Sequence, residues 1–248
     1  MTNFIQPHIR IGADSGAEYA ILPGDPGRVA TVARFLERPR ELMVNREYRT
    51  VSGWYKGVKV LVTSTGIGGP SLGIAVEELK NIGVTTMIRI GSCGALRQGL
   101  RLGDLVIAAG AVRDDGTSAA FVESSYPAIP DYRLLHRLNQ VSAELHVPRH
   151  CGIVRSHDSF YTEREDDICR YWGSRGVLAA DMETAALFVI GGINGLRVAS
   201  ILNVVVEAGG DVEKGINEYV NADEACKQGE EREIEVALET IASIDKLK

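Results

Sequence analysis

Arg89 is the residue whose setting most needs explaining. It stands in "MIRIGSCGAL", residues 87 to 96, among Met87, Ile88 and Ile90, and the chain then enters the turn Gly91-Ser92-Cys93-Gly94. A guanidinium keeps its charge in a protein, and desolvating it unpaired is costly, so an arginine in an apolar run implies an anion. That anion is either a buried carboxylate of the same chain, which makes the pair structural, or a small ligand. Ser92 adds a hydroxyl and a backbone N–H at the same turn, so a ligand rich in acceptor oxygens would find neutral as well as charged donors.

Two other glycine turns bear on the choice. In Pro23-Gly24-Asp25-Pro26-Gly27-Arg28, Gly24 lets the backbone approach an anion, the helix beginning at Pro26 offers unsatisfied N–H groups, and Arg28 brings a charge to the same place. This is either a phosphate cradle or a tight turn followed by a surface arginine. In "TGIGGPSLG", Gly66-x-Gly68-x-x-Ser71 lacks the last glycine of a dinucleotide fingerprint, and no Gly-Lys-Ser/Thr follows to make a P-loop. A dinucleotide-binding fold has only that partial match behind it.

The four cysteines, Cys93, Cys151, Cys169 and Cys226, form neither a C-x-x-C pair nor a Cys/His ligand cluster, which argues against zinc and against a disulfide framework. Cys93 in its glycine turn is expected to be a partly buried thiol, since no basic partner stands near it in sequence.

The elements that must position these turns alternate. "EYAILPG" is expected as a strand and "PGRVATVARFLE" as a helix with Pro26 in its first turn; residues 41 to 66 follow as consecutive strands turning at Lys56-Gly57. "PSLGIAVEELKNIG" is helical with a stop at Gly83, and "TTMIRIGS" and "DLVIAAGAVRD" are buried strands. Residues 131 to 146 place Leu134, Leu135, Leu138, Val141 and Leu145 on one helical face. "CGIVRSHDS", "GVLAADME" and "LRVASILNVVV" complete the strands, with helices at about 163 to 173 and 183 to 194, and a last amphipathic helix carries Ile234, Ala237, Ile241 and Ile244. Strands alternating with helices predict one α/β domain over residues 1–248, a three-layer sandwich around a mixed, mainly parallel sheet. If the strands ending at Gly24 and Arg89 are neighbours, Arg28 and Arg89 point into one crevice at the strand ends.

Composition narrows the partners. With 45% hydrophobic and 24% charged residues, a net charge of -6 and a pI near 5.5, the chain carries no electrostatic footprint for nucleic acid or an anionic membrane. The start "MTNFIQPHIR" has no signal-peptide core and no uncharged run is of membrane-spanning length, which predicts a cytoplasmic protein.

Taken together, "LPGDPGR", "STGIGGPS", "AVEEL", "RIGSCGA", "DSFY" and "DMETAAL", in this order and spacing, resemble the nucleoside phosphorylases of the uridine phosphorylase and bacterial purine nucleoside phosphorylase type. The resemblance runs from "PHIR" to the final helix. It implies phosphate-dependent cleavage of a nucleoside to free base and an α-sugar 1-phosphate, with inorganic phosphate as co-substrate and no cofactor. It also implies a homo-oligomer whose minimal active unit is a dimer, up to a hexamer.

The resemblance carries roles for individual residues. Phosphate would be held by Gly24, Arg28, Arg89 and Ser92, with Arg46 of a neighbouring subunit; ribose by Glu183, the Met182 backbone and the neighbour's His8; the base by Phe160. Arg89 and Glu183 would be the catalytic pair. A monovalent cation such as potassium could sit at a dimer interface through Glu47, Ile67 and Ser71. Each has a plainer rival: Glu183 as a carboxylate at a helix N-terminus, His8 and Arg46 as solvated residues.

Base recognition is where the match loosens. Where uridine phosphorylases carry a glutamine and an arginine two residues apart, "FYTERED" has Arg164 and Asp166; and after "NVVV" comes Glu207, which could act like the base-facing carboxylate of purine enzymes. "VRDDGTSAAF" and "YPAIPD" favour the uridine branch. Uridine is the expected substrate, with a purine nucleoside as the alternative; a hydrolytic nucleosidase or a non-catalytic nucleoside binder are further readings, the hydrolase having no need for Arg28, Arg46 and Arg89 together.

Overall fold

A computed structural model describes residues 4–210 and 224–246. At its centre four parallel strands lie side by side: β4 (Val58–Thr63), β1 (Tyr19–Pro23), β5 (Thr86–Ala95) and β9 (Arg197–Val206). β2 (Glu37–Asn45) and β3 (Tyr48–Tyr55) extend one side as an antiparallel meander. On the other side β6 (Leu105–Asp114), β7 (Arg149–His157) and the short β8 (Ala179–Asp181) curl back, so that β5 pairs with both β9 and β8 and closes a ring of strands. The sheet is mixed, as expected, and its closure at β8 is a feature that periodicity does not show.

Period-two alternation separates two cores. Ala20, Leu22 and Met87 join Leu72, Leu79 and Phe188 under α2 (Gly69–Asn81) and α6 (Thr184–Ile193). Tyr19, Ile21, Ile88 and Ile90 join Val29, Leu138 and Ile241 under α1 (Pro26–Ala33), α4 (Tyr132–Glu144) and the last helix, α7 (Glu224–Asp245). Helices on both faces bury both faces, which is why the central strands are almost continuously apolar.

Local signals account for most element ends. Asp25 caps α1 by accepting from the Gly27 N–H at 2.9 Å, and Asp131 caps α4 through the Leu134 N–H at 2.9 Å. Gly83, at φ +101°, stops α2 where expected. Elsewhere pairing overrides the local pattern. α1 ends at Ala33, short of the anticipated residue 37, because Glu37 pairs with Trp54 and begins β2. "GVLAADME" supplies a strand of only three residues, and the helix α3 (Gly116–Phe121), capped by Asp115 on the Ser118 N–H, was not anticipated. Between α4 and α6 lies α5 (Glu165–Gly173), close to its anticipated span.

Candidate active site

The C-terminal ends of β1, β4 and β5 meet at one edge, and the register Leu22 opposite Arg89 makes the two arginine-bearing turns neighbours. On β5, Arg89 points to the α6 side of the sheet, where Nε donates to Asp181 Oδ2 at 3.1 Å and Nη2 to Glu183 Oε2 at 2.5 Å. Both readings of Arg89 are therefore represented: carboxylates of the chain pair two of its nitrogens, while the buried Nη1 has no acceptor among the described residues. A Cβ built on Gly24 would stand 4.0 Å from that Nη1, so the first turn lies over the unspent donor. Gly91 is needed for the arginine to lie as it does. A Cβ there would come within 2.6 Å of Nη2 and 2.8 Å of Cζ, because residues two apart share a strand face.

Arg28 approaches from the other side of the sheet edge. Its Nη2 donates to Ser92 Oγ at 3.0 Å, its Nε lies 3.2 Å from Glu230 Oε2 and its Nη1 3.4 Å from Glu233 Oε1. Arg28, Arg89, Asp181, Glu183 and Glu233 are all buried. Burial works against the charge of Arg89, but the Glu183 and Asp181 carboxylates outweigh it and hold the guanidinium above its ordinary pKa. Burial pushes the Glu183 carboxyl up, and Asp181 adds to this against the pull of Arg89 and of the Gly68 and Met182 N–H groups.

Glu183 ends at the start of a helix that is not its own. Its Oε1 accepts from the Gly68 N–H at 2.5 Å, at the N-terminus of α2, where Gly68 has φ +89°. Asp181 is fixed by Ser156 Oγ at 2.6 Å and by the Thr184 hydroxyl at 2.6 Å and N–H at 3.0 Å, so the "DMET" turn is rigid at both acids. Gly24, Arg28, Arg89, Ser92 and Glu183 thus form one cluster.

A second group lies on the far side of the Gly66 turn. Glu47 Oε1 accepts from Ser71 Oγ at 2.7 Å, and a Cβ on Gly66 would meet Glu47 Cγ at 2.8 Å. The backbone N–H of Glu47 itself, with Ser71, holds its carboxyl below the usual range. Arg46 is exposed at the β2–β3 turn in the left-handed region, φ +55°, and Ile67 is 80% exposed. His8 Nδ1 pairs with Glu78 Oε1 at 2.6 Å, and its ring meets Tyr48 edge-on at 6.3 Å. The residues assigned to a neighbour's site and to a cation are gathered here, around Tyr48 and Ser71.

The third group is looser. Phe160, half-buried and edge-on to Tyr161 at 5.0 Å, and exposed Arg164 lie between β7 and α5. Glu207, exposed at the end of β9, accepts from the Leu102 N–H at 3.2 Å. Asp181, Gly91, Glu230 and Glu233 were missed from sequence. Asp181 stood inside a quoted motif, and Glu230 and Glu233 fall on the same α7 stripe as Ala237, Ile241 and Ile244, where a carboxylate is out of place.

Known proteins resemble the chain over nearly its whole length. The Phosphorylase superfamily profile matches residues 18–242. A guanosine phosphorylase of Halorubrum lacusprofundi is 37% identical over 96% of this chain and 99% of its own length. A uridine phosphorylase of Thermococcus kodakarensis is 42% identical over 81% and 76%. The solved structure of a uridine phosphorylase from Vibrio fischeri superposes with a TM-score of 0.90 at 46% identity, covering 96% of both chains. Profile and relatives agree, and the chain belongs to the phosphorylase superfamily.

Proposed function

We propose that the protein cleaves the N-glycosidic bond of a nucleoside, uridine above others, with inorganic phosphate as nucleophile. The observation that carries this is the buried Nη1 of Arg89 beside Gly24, which has no acceptor among the described residues. A buried donor left unmade costs on the order of 1–3 kcal/mol, and a phosphate oxygen is the partner that would also engage Arg28 and Ser92. Phosphorolysis passes through an oxocarbenium-like sugar, so a pre-positioned anion under the anomeric carbon serves both as nucleophile and as electrostatic stabiliser. Glu183 keeps lone pairs for the ribose hydroxyls and, rigidly held, would orient the ring. Direct displacement inverts the anomeric carbon, giving the α-sugar 1-phosphate and free base. The uridine phosphorylases among the relatives support the choice of base.

A purine nucleoside is the second reading, favoured by Glu207, by Arg164 and Asp166 in place of the expected glutamine and arginine, and by the guanosine phosphorylase relative. The test is base release from uridine, guanosine, inosine and adenosine with and without phosphate. Release that does not depend on phosphate overturns the phosphorylase reading, and the ranking of kcat/KM decides the base.

The active unit we propose is at least a dimer, with Arg46 and His8 completing the neighbour's site, and the reaction is cytoplasmic. Among the described residues, no helix is long and apolar enough to cross a membrane. Glu47, Ser71 and the Ile67 backbone are hard oxygen donors suited to a monovalent cation; one chain supplies half a coordination sphere, so an ion there would tie two subunits together.

A further inference from the structure

A buried acid lies beneath the phosphate corner. Glu233 is 0% exposed, and its Oε1 is 3.4 Å from Arg28 Nη1. Neither of its oxygens completes a hydrogen bond of normal geometry among the described residues. One turn earlier on α7, Glu230, 17% exposed at its side chain, holds the Nε of the same arginine at 3.2 Å. The charged and titratable groups facing Glu233 are Arg28 from α1, Arg89 and Cys93 from β5, and Glu230 from its own helix. Burial keeps the Cys93 thiol neutral by pushing it well above its ordinary value.

Resting on the phosphate reading above, we propose that Glu233 is a positioning residue: it holds Arg28 beneath the phosphate and must carry a proton while the dianion is bound, drawing that proton from solvent wherever the free site is ionised. The reasoning is electrostatic. Phosphate on Arg28 and Ser92 would place two negative charges on the guanidinium that Glu233 shares, beside a fully buried carboxylate, where like charges repel strongly. Protonation removes the repulsion and frees Arg28 donors for the ligand. The balance is simple: the dianion and one proton enter, the Glu233 carboxylate becomes a carboxylic acid, and no bond to phosphorus changes. The proton leaves again with the sugar 1-phosphate.

The pH dependence has a definite sign. Burial, with Glu230 adding to it, pushes the Glu233 carboxyl up to about 8 against Arg28, Arg89 and the Gly91 N–H. Below that value the group already carries its proton and phosphate binding takes up none. Above it the carboxylate must be protonated on binding, so phosphate affinity falls about tenfold per pH unit. Inorganic phosphate is dianionic throughout that upper range, so its own titration does not intrude.

Calorimetric titration with inorganic phosphate between about pH 8 and 9.5, in pairs of buffers with different ionisation heats, counts the protons directly. For the wild-type protein the expected result is close to one proton taken up per site at the alkaline end, with Kd rising in step. Glu233→Gln, which mimics the protonated acid, should bind phosphate with pH-independent affinity and no proton uptake, while Glu230→Gln should retain the uptake. Phosphate binding with no uptake in wild type, or equal uptake in Glu233→Gln, overturns the proton linkage alone. If Glu233→Gln does not fold, Glu233→Leu gives a second neutral variant, and a wild-type count of zero refutes the proposal without either. Absence of phosphate binding at every pH overturns the phosphate reading itself.

Discussion

The corner we propose for phosphate and the segments we propose for the base are built to different standards. At the corner, Arg89 sits on a central strand with two nitrogens committed to fixed carboxylates, and Glu183 is held by a helix N-terminus. At the base end, Arg164 and Glu207 are exposed, on or beside loops. The buried tie beneath Arg164 is Arg155, which donates to Asp114 at 2.8 Å and stands 3.9 Å from Glu165 in the first turn of α5. A displacement common to all substrates needs an anion held to a fraction of an ångström, whereas base choice requires only that a few contacts differ. On the roles we propose, the chemistry falls to the rigid sheet edge and specificity to its loops.

Changes at the corner should therefore be severe and blind to the base. Arg89→Ala removes the donor aimed at phosphate and leaves Asp181 and Glu183 buried without their cation. We expect kcat/KM to fall by about 10³-fold or more for every nucleoside tested. A drop confined to one base would break the division between the two regions.

Gly91→Ala probes the same corner without touching a functional group. The added methyl would lie 2.6 Å from Arg89 Nη2 and 3.1 Å from Leu202 Cδ2, so the guanidinium must shift. An expected loss of about 10–100-fold in kcat/KM, with an unchanged circular dichroism spectrum and about 1–3 kcal/mol less stability by denaturant melting, would show that position matters as well as charge. Full activity would mean that Arg89 tolerates relocation.

Arg46, exposed on its own chain, tests whether the corner is completed in trans. Arg46→Ala should raise the phosphate KM about tenfold. At phosphate well below KM, where Arg46→Ala alone would run at about a tenth of the wild-type rate, mixing it with Arg89→Ala subunits and re-equilibrating should raise the rate to about a quarter of wild type, since half the dimers would be mixed and each of those holds one intact site. No recovery in demonstrated heterodimers would confine the site to one chain.

Legibility in the sequence follows the same division. The pairing of β1 with β5, the glycine turns and the grouping of Arg28 with Arg89 and Ser92 could be anticipated, because apolar strands and glycine turns are local signals. Arg89 was seen to need an anion, but its double carboxylate pairing depended on β8, which returns to β5 from nearly a hundred residues away in sequence as only three strand residues. Glu233 was hidden for another reason. Periodicity in α7 shows in its apolar residues, and the group that an acid on the same stripe faces comes from α1, distant in sequence. The start of β2 is masked by a helical pattern that continues to residue 37, where strand pairing with β3 wins.

The smallest effect expected is also the one that separates the two bases. If the purine reading holds, Glu207 must leave its Leu102 partner, 3.2 Å away, and accept from or protonate the departing base, so Glu207→Gln should lower guanosine and inosine kcat/KM about three- to tenfold and leave uridine unchanged. If the uridine reading holds, Glu207 keeps the Leu102 contact, and Glu207→Gln, whose amide oxygen still accepts from that N–H, has no base-dependent effect. In that case Arg164→Ala should be the variant that raises the uridine KM, by a few-fold, because an exposed arginine contributes little beyond one charge-assisted hydrogen bond. Phosphate KM measured alongside must stay constant in both variants. A change there would mean that the loops reach the phosphate corner, and the separation of specificity from chemistry would fail.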